Sequence, residues 1–244
     1  MKLSITIIIG LVVLALSANG ARDLTASSSQ CAMATAVPPS TLPCTIVAWY
    51  KPRTSASAAL VSLDHSSSNN VGRLILVASQ TTPSTVFAQA AHVPDSGSGA
   101  TVNTSSSVVT NVWSHFAAVF VSLSARTSYV NGGSAVGSST AVGATTVNQI
   151  QIGARNVLAV RGLFGDGAIA HVAVWNVALT AGEILQLSGG GNPSKAVHPR
   201  WIRPESLVYC PELDIPNVVV PDLISGTTTW SNSPPFVVSP TVRR

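Results

Sequence analysis

Short apolar runs alternate with turn-rich segments from Arg22 onward, and this spacing predicts a β-sandwich or barrel rather than a helical protein. The first strong run, TIVAWY at residues 45–50, stops at Lys51-Pro52. Residues 59–63 follow, then a polar turn over 64–70, and residues 72–78 and 85–91 read as a further pair of strands. Residues 95–107 are rich in Gly and Ser without periodic hydrophobics, which predicts an exposed loop. Residues 113–122, 127–130, 147–153 and 169–175 are the remaining clear strands. One segment predicts a helix: Thr180 and Glu183 are spaced as a capping box, Ile184, Leu185 and Leu187 follow, and Gly189 ends it. The predicted core comprises Ile46, Ala48, Phe116, Ala118, Phe120, Ile150, Ile152, Ile169, Val172, Val174 and Trp175.

Both ends of the chain differ from this middle. Residues 1–21 place Lys2 before an apolar run of about fourteen residues, short of the ~20 that cross a bilayer, and small residues follow at Ala18-Asn19-Gly20. That arrangement reads first as a secretory leader, then as an uncleaved anchor or a buried first strand. Membrane contact is expected only if the segment stays attached. At the other end, residues 189–193 form a Gly-rich linker, and residues 199–240 combine many prolines with apolar patches at 207–209 and 218–220. Proline removes a ladder donor, so short edge strands are expected there, packed on the sandwich or on a neighbouring subunit. The chain is thus read as an N-terminal segment (1–21), a sandwich (22–190) and a Pro-rich tail (191–244).

Composition narrows the function classes. Only 9% of residues are charged against 46% hydrophobic, far below the roughly 25% charge of an ordinary soluble domain. The net charge of +4 comes from dispersed residues without a basic stripe interleaved with aromatics, which argues against nucleic acid as a partner. Cys31, Cys44 and Cys210 lack metal-site spacing. Cys31 and Cys44 flank a short turn and could pair in an oxidising compartment, but the odd count favours three small buried hydrophobes.

Residues 113–184 carry a resemblance. Trp113-Ser114-His115-Phe116-Ala117-Ala118-Val119-Phe120 looks like the central strand of laminin-G-like, concanavalin-like jelly rolls. Tyr129-Val130-Asn131-Gly132-Gly133 is similar to their Asn-Gly hairpin, and Ile150-Gln151-Ile152-Gly153 to the next strand. The segment from Phe164 through Ile169, Trp175 and Asn176 to Thr180, Glu183 and Ile184 resembles the strand and capped helix that close the family's sandwich. The resemblance implies an all-β, two-sheet antiparallel jelly-roll sandwich with one short helix and a tail packed on it. The segment around Arg203-Pro204-Glu205, with Pro221-Asp222-Leu223, is also similar to tails of such domains in tailed-phage and other virion proteins.

Chemistry is sparse. Glucanases of this fold class need paired carboxylates, and the closest spacing, Glu212 with Asp214, sits between prolines in the tail. No nucleophile elbow is present. Calcium is the one cofactor the resemblance raises, and Asp64, Asn69, Asp95 and Asp166 are its candidate oxygen ligands, although ordinary turn roles account for them equally. His115 and His171 lie within predicted strands and read as packed residues. Trp49, Trp113 and Trp175 also read as buried, which leaves Trp201 and Trp230 as the aromatics available to a ligand. The expectation is a non-catalytic binding or structural module, first a virion-associated structural or decoration protein on a virion surface. The alternative is a secreted or surface lectin-like protein. Its partners would be subunits of a larger assembly or surface glycans.

Overall fold

The computed structural model describes residues 20–34, 38–39, 41–67, 69–82, 85–213, 219–222, 226–232, 234–238 and 240. Residues 1–19, which carry the leader-or-anchor expectation, lie outside that set. The strands run β1 (Gly20–Leu24), β2 (Cys31–Ala34), β3 (Cys44–Pro52), β4 (Ala58–Asp64), β5 (Arg73–Thr82), β6 (Thr85–Val93), β7 (Ala100–Val108), β8 (Ser114–Phe120) and β9 (Arg126–Val130). They continue with β10 (Gly133–Ser138), β11 (Gln149–Ile152), β12 (Arg155–Val157), β13 (Val160–Gly162) and β14 (Gly167–Trp175). The helix α1 (Ala181–Ser188) precedes β15 (Leu207–Tyr209), β16 (Val219–Asp222), β17 (Gly226–Ser231) and β18 (Phe236–Val238). No helix among the described residues is long and apolar enough to cross a membrane.

These strands form two antiparallel eight-stranded sheets, the sandwich that the residue pattern predicts and the jelly roll that the resemblance implies. One has the order β10-β9-β8-β3-β14-β1-β18, with β15 also paired to β14. The other has the order β16-β17-β2-β11-β4-β5-β6-β7, and β12 with β13 makes a separate hairpin. Side chains alternate across each strand. Ile46, Ala48, Phe116, Ala118, Phe120, Ile169, Val172 and Val174 therefore face Ile150, Ile152 and Leu76 in the space between the sheets.

The opposite face of the first sheet is buried too. Val47, Ala117, Val119, Ala173 and Trp175 pack there against Leu179, Ile184 and Leu187 of the helical segment and Ile202 and Leu207 of the tail. Trp175 and Val174 thus belong to different cores, although both are buried. The helix starts as its spacing predicts: Thr180 accepts from the Glu183 N–H, and Glu183 Oε2 accepts from the Thr180 N–H at 2.7 Å. Gly189 ends it with φ of 54°. The β9–β10 turn has Asn131 at φ 53° and Gly132 at φ 74°, the left-handed pair that a two-residue hairpin favours.

Two expectations need correction. Residues 95–107 are not one exposed loop, because Ala100–Val108 forms β7 and pairs with β6. Its inward positions carry Ala100, Val102 and Thr104, so small and hydroxyl side chains hide the alternation. The tail also enters the sandwich further than short edge strands alone. β17 pairs β2 and β18 pairs β1, while β16 and β18 form sheet edges. Ile202, Leu207, Tyr209, Cys210, Leu213 and Trp230 are buried within the same chain. Cys31, Cys44 and Cys210 are all buried, and desolvation pushes the Cys44 thiol up to about 12.

Candidate functional site

A polar pocket of about 310 Å³ lies where β1, β3 and β14 run side by side. Asp23 pairs with Ala168, and Ala168 pairs with Lys51, so Asp23 and Lys51 flank a small residue on one face. The neighbouring Gly167 has φ of 144°, and a Cβ there would come within 2.3 Å of the Lys51 carbonyl oxygen. Gly167 is therefore required by the close approach of the β3 backbone, and it lines the pocket together with Ala168. Trp113, one residue before β8, forms a half-buried wall packed beside Ala21, Trp49 and Ala170. Asn111 completes the rim, its N–H donating to Pro52 O at 2.7 Å.

Arg53 organises the charge. Its Nη2 donates to Asp23 Oδ1 at 2.6 Å, and its Nη1 donates to Asp166 Oδ1 and, at 3.1 Å, to Leu24 O. Tyr50, whose hydroxyl burial pushes well above the usual range, donates to Asp166 O at 2.7 Å. The guanidinium is thus held by two carboxylates and a carbonyl, on a side chain that is 40% exposed. Among the described residues, Lys51 Nζ makes no ion pair or hydrogen bond. The pocket combines an indole, a fixed guanidinium–carboxylate array and a free ammonium.

The tryptophans divide differently from their expected roles. Trp230 is 3% exposed, with the Arg22 guanidinium 5.3 Å from its ring, so it has no face to offer a ligand. It faces inward because β17 is hydrogen-bonded beside β2 and brings that position over the core. Trp201 is exposed at 62% on a single 3-10 turn outside the pocket. Trp113, read as buried, is the aromatic that lines a concavity. Its position one residue outside the strand is a signal that strand-centred reasoning passes over.

The four oxygen-ligand candidates do not converge. Asp64 is fully buried and accepts from Ser62 Oγ, Gln149 Nε2 and the Asn156 N–H. Asp95 accepts from the Thr146 N–H and hydroxyl. Asp166 is bound to Arg53, and the Asn69 N–H donates to Ser67 Oγ. Among the described residues, no group of three or more His, Cys, Asp or Glu is arranged to hold a metal ion. Asp64, Asn69, Asp95 and Asp166 thus each have a separate set of neighbours. Of the spaced tail carboxylates, Glu212 pairs with Arg200 at 3.4 Å and Asp214 lies outside the described residues. His115 and His171 are buried on β8 and β14, and burial lowers His115 to about 3.

The fold recurs among solved structures. A candidate carbohydrate binding protein from Bacteroides ovatus aligns over 92% of this chain and 61% of its own, at 16% identity and a TM-score of 0.61. A heptameric SAP-like pentraxin from Limulus polyphemus aligns over 70% of this chain and 82% of its own, at 14% identity and a TM-score of 0.57. The sialidase carbohydrate-binding module CBM40 of Ruminococcus gnavus, in complex with α2,3-sialyllactose, aligns over 62% and 85%, at 15% identity and a TM-score of 0.52. At these identities the likeness is one of fold. No curated protein sequence matches the chain at a significant level. The sequence profile for laminin-G-like domains of the concanavalin A-like lectin/glucanases superfamily matches residues 25–185. Together with the two-sheet sandwich and its capped helix, that match decides membership: this chain belongs to the concanavalin A-like lectin/glucanases superfamily.

Proposed function

We propose that this protein is a non-catalytic carbohydrate-binding module whose ligand occupies the pocket of Asp23, Lys51, Arg53, Asn111 and Trp113. The carrying observation is the half-buried Trp113 indole set beside the Arg53–Asp23 pair in one concavity. A sugar ring has an apolar C–H face that stacks on an indole, while its hydroxyls take fixed charged and amide partners at the edge. The fold supports the reading, since the Ruminococcus gnavus module of the same fold was solved with sialyllactose bound.

A binding role fits the carboxylates better than hydrolysis does. Glycoside cleavage uses two carboxyl groups flanking the scissile bond, one of them able to deliver a proton. Asp23 and Asp166 are instead bound to one guanidinium between them. Glycan recognition suits a secreted or cell-surface location. Incorporation into a virion, the first expectation, finds less support: two destinations were open to the tail's apolar residues, this sandwich or a neighbouring subunit, and many are buried on this chain.

A glycan array with purified protein, followed by titration calorimetry on any hit, tests the proposal. Trp113→Ala should weaken binding about ten-fold and leave the circular-dichroism spectrum intact. Lys51→Ala should weaken binding as well. No hit above background removes the reading. Binding that survives Trp113→Ala but is lost in Trp201→Ala would move the site to the tail.

A further inference from the structure

The second sheet ends at β7, which is hydrogen-bonded to β6 on one side and to no described strand on the other. Such an edge presents unpaired backbone donors and acceptors that can recruit a strand of another chain. Asn103-Thr104-Ser105, in the middle of β7, has the Asn-X-Ser spacing of an N-glycan acceptor. Asn192-Pro193-Ser194 has the same outline, but the proline in its middle position disqualifies it.

The local fold gives each residue of the motif a different environment. Gln89 pairs with Asn103 and Phe87 with Ser107, so Thr104, Ser105 and Ser106 all stand opposite Ala88 in a β-bulge. Thr104 turns inward there, its Oγ1 accepting from the Ala88 N–H at 3.2 Å and donating to Ser106 O at 2.9 Å. Ser105, the hydroxyl residue of the motif, is left exposed. Asn103 Oδ1 accepts from Gln89 Nε2 at 2.8 Å, and the same nitrogen donates to Ser79 Oγ at 3.4 Å. That bond turns the carboxamide oxygen of Asn103 toward β6 and its nitrogen away from it. Among the described residues Nδ2 has no hydrogen-bond partner, and it is open to solvent.

We propose that Asn103 carries an N-linked oligosaccharide that shields the open β7 edge. The donor is a polyprenyl-pyrophosphate-linked oligosaccharide met during translocation, the step for which residues 1–21 are the expected leader. Nδ2 forms a bond to the anomeric carbon, the bond from that carbon to the pyrophosphate oxygen breaks, the lipid pyrophosphate leaves, and one amide proton is released. Oδ1 is untouched, so the Gln89 bond survives in the folded product. The sugar adds bulk along the edge without entering the core, because Asn103 lies on the side of β7 opposite the buried Val102 and Thr104. The site shares no residue with the pocket of Trp113 and does not depend on glycan recognition there.

The full chain, secreted from cultured mammalian cells and treated with peptide-N-glycosidase F, tests this by gel mobility and peptide mass spectrometry. The enzyme should increase the mobility and convert Asn103 to aspartate. Ser105→Ala, which keeps the Gln89 contact, should abolish both changes with an unaltered circular-dichroism spectrum, and Ser105→Thr should retain them. In size-exclusion chromatography the glycosylated protein should elute as a monomer, and Ser105→Ala should add dimers and larger species. Secretion without a glycan at Asn103, failure of the chain to enter the secretory route, or a mobility change that persists in Ser105→Ala would each overturn the acceptor assignment. A Ser105→Ala protein as monomeric as the glycosylated one would overturn the shielding of the edge.

Discussion

Asp64 should make the protein gain stability as the pH falls, opposite to the behaviour of an ordinary surface carboxylate. The side chain is fully buried at the end of β4 and ties that strand to β11 and β12 through Gln149 and Asn156. Desolvation raises its pKa from 3.8 to about 6, outweighing the three hydrogen bonds that favour the anion. Between the two values the folded state binds the proton and the unfolded chain does not, so stability falls as the pH rises from 4 through 6. At 1.36 kcal/mol per pKa unit the full effect is about 3 kcal/mol, most of it between pH 4 and pH 7. Buried histidines act in the other direction. His92 and His115 are lowered by burial from 6.5 to about 4 and about 3, so their contribution is present above 6.5 and lost as the pH falls through those values. The wild-type curve alone therefore cannot isolate Asp64. Denaturant unfolding of wild type and Asp64→Asn at pH 4, 5, 6 and 7 does, because the histidine contributions cancel in the difference. The advantage of wild type over the variant should be larger at pH 4 than at pH 7 by about 2–3 kcal/mol. A difference that is flat with pH, or that grows toward pH 7, refutes the reasoning.

Thr180→Ala removes the side-chain acceptor of the Glu183 N–H and should cost about 1 kcal/mol in denaturant unfolding, while Thr180→Ser should restore most of it. Trp230→Ala should cost about 3–5 kcal/mol because it opens a cavity beneath Arg22, whereas Trp201→Ala, on the exposed turn, should change stability by less than about 0.5 kcal/mol. Thermal melts of the two tryptophan variants compare them directly, and equal losses would contradict the assigned burial.

Local chemistry made part of this architecture readable in advance. The capping box at Thr180 and Glu183, the left-handed turn at Asn131-Gly132, and the strands ending at Pro52 and Trp175 depend on neighbours a few residues away. Strands with weak alternation were harder to read. In β7, Ala100 and Thr104 face inward, and in β2 Ala32 and Ala34 do, so small side chains carry burial with little apolar contrast. The bulge in β14 lies between Ala170 and Ala173, with His171 at φ 46°, and it lets Ile169 and Val172, three positions apart, face the same core.

The candidate site was less legible than the fold. Asp23, Lys51 and Trp113 are far apart in the chain, and only the β1–β14–β3 register and the turn before β8 bring them to one concavity. Arg53 gave no advance sign of bridging Asp23 and Asp166, because a lone charged residue after Pro52 reads as solvated. The β-sandwich class, its capped helix and most inward-facing positions were set by short-range chemistry, since backbone sterics, period-two burial and cap hydrogen bonds act over a few residues. Tertiary structure alone decided that Trp230 goes inside while Trp113 lines a pocket, that Asp64 is a buried tie rather than a loop ligand, and that the tail joins both sheets. Those outcomes depend on which strands become hydrogen-bonded neighbours and on the water excluded between them, and such long-range pairings leave no mark on any single stretch of chain.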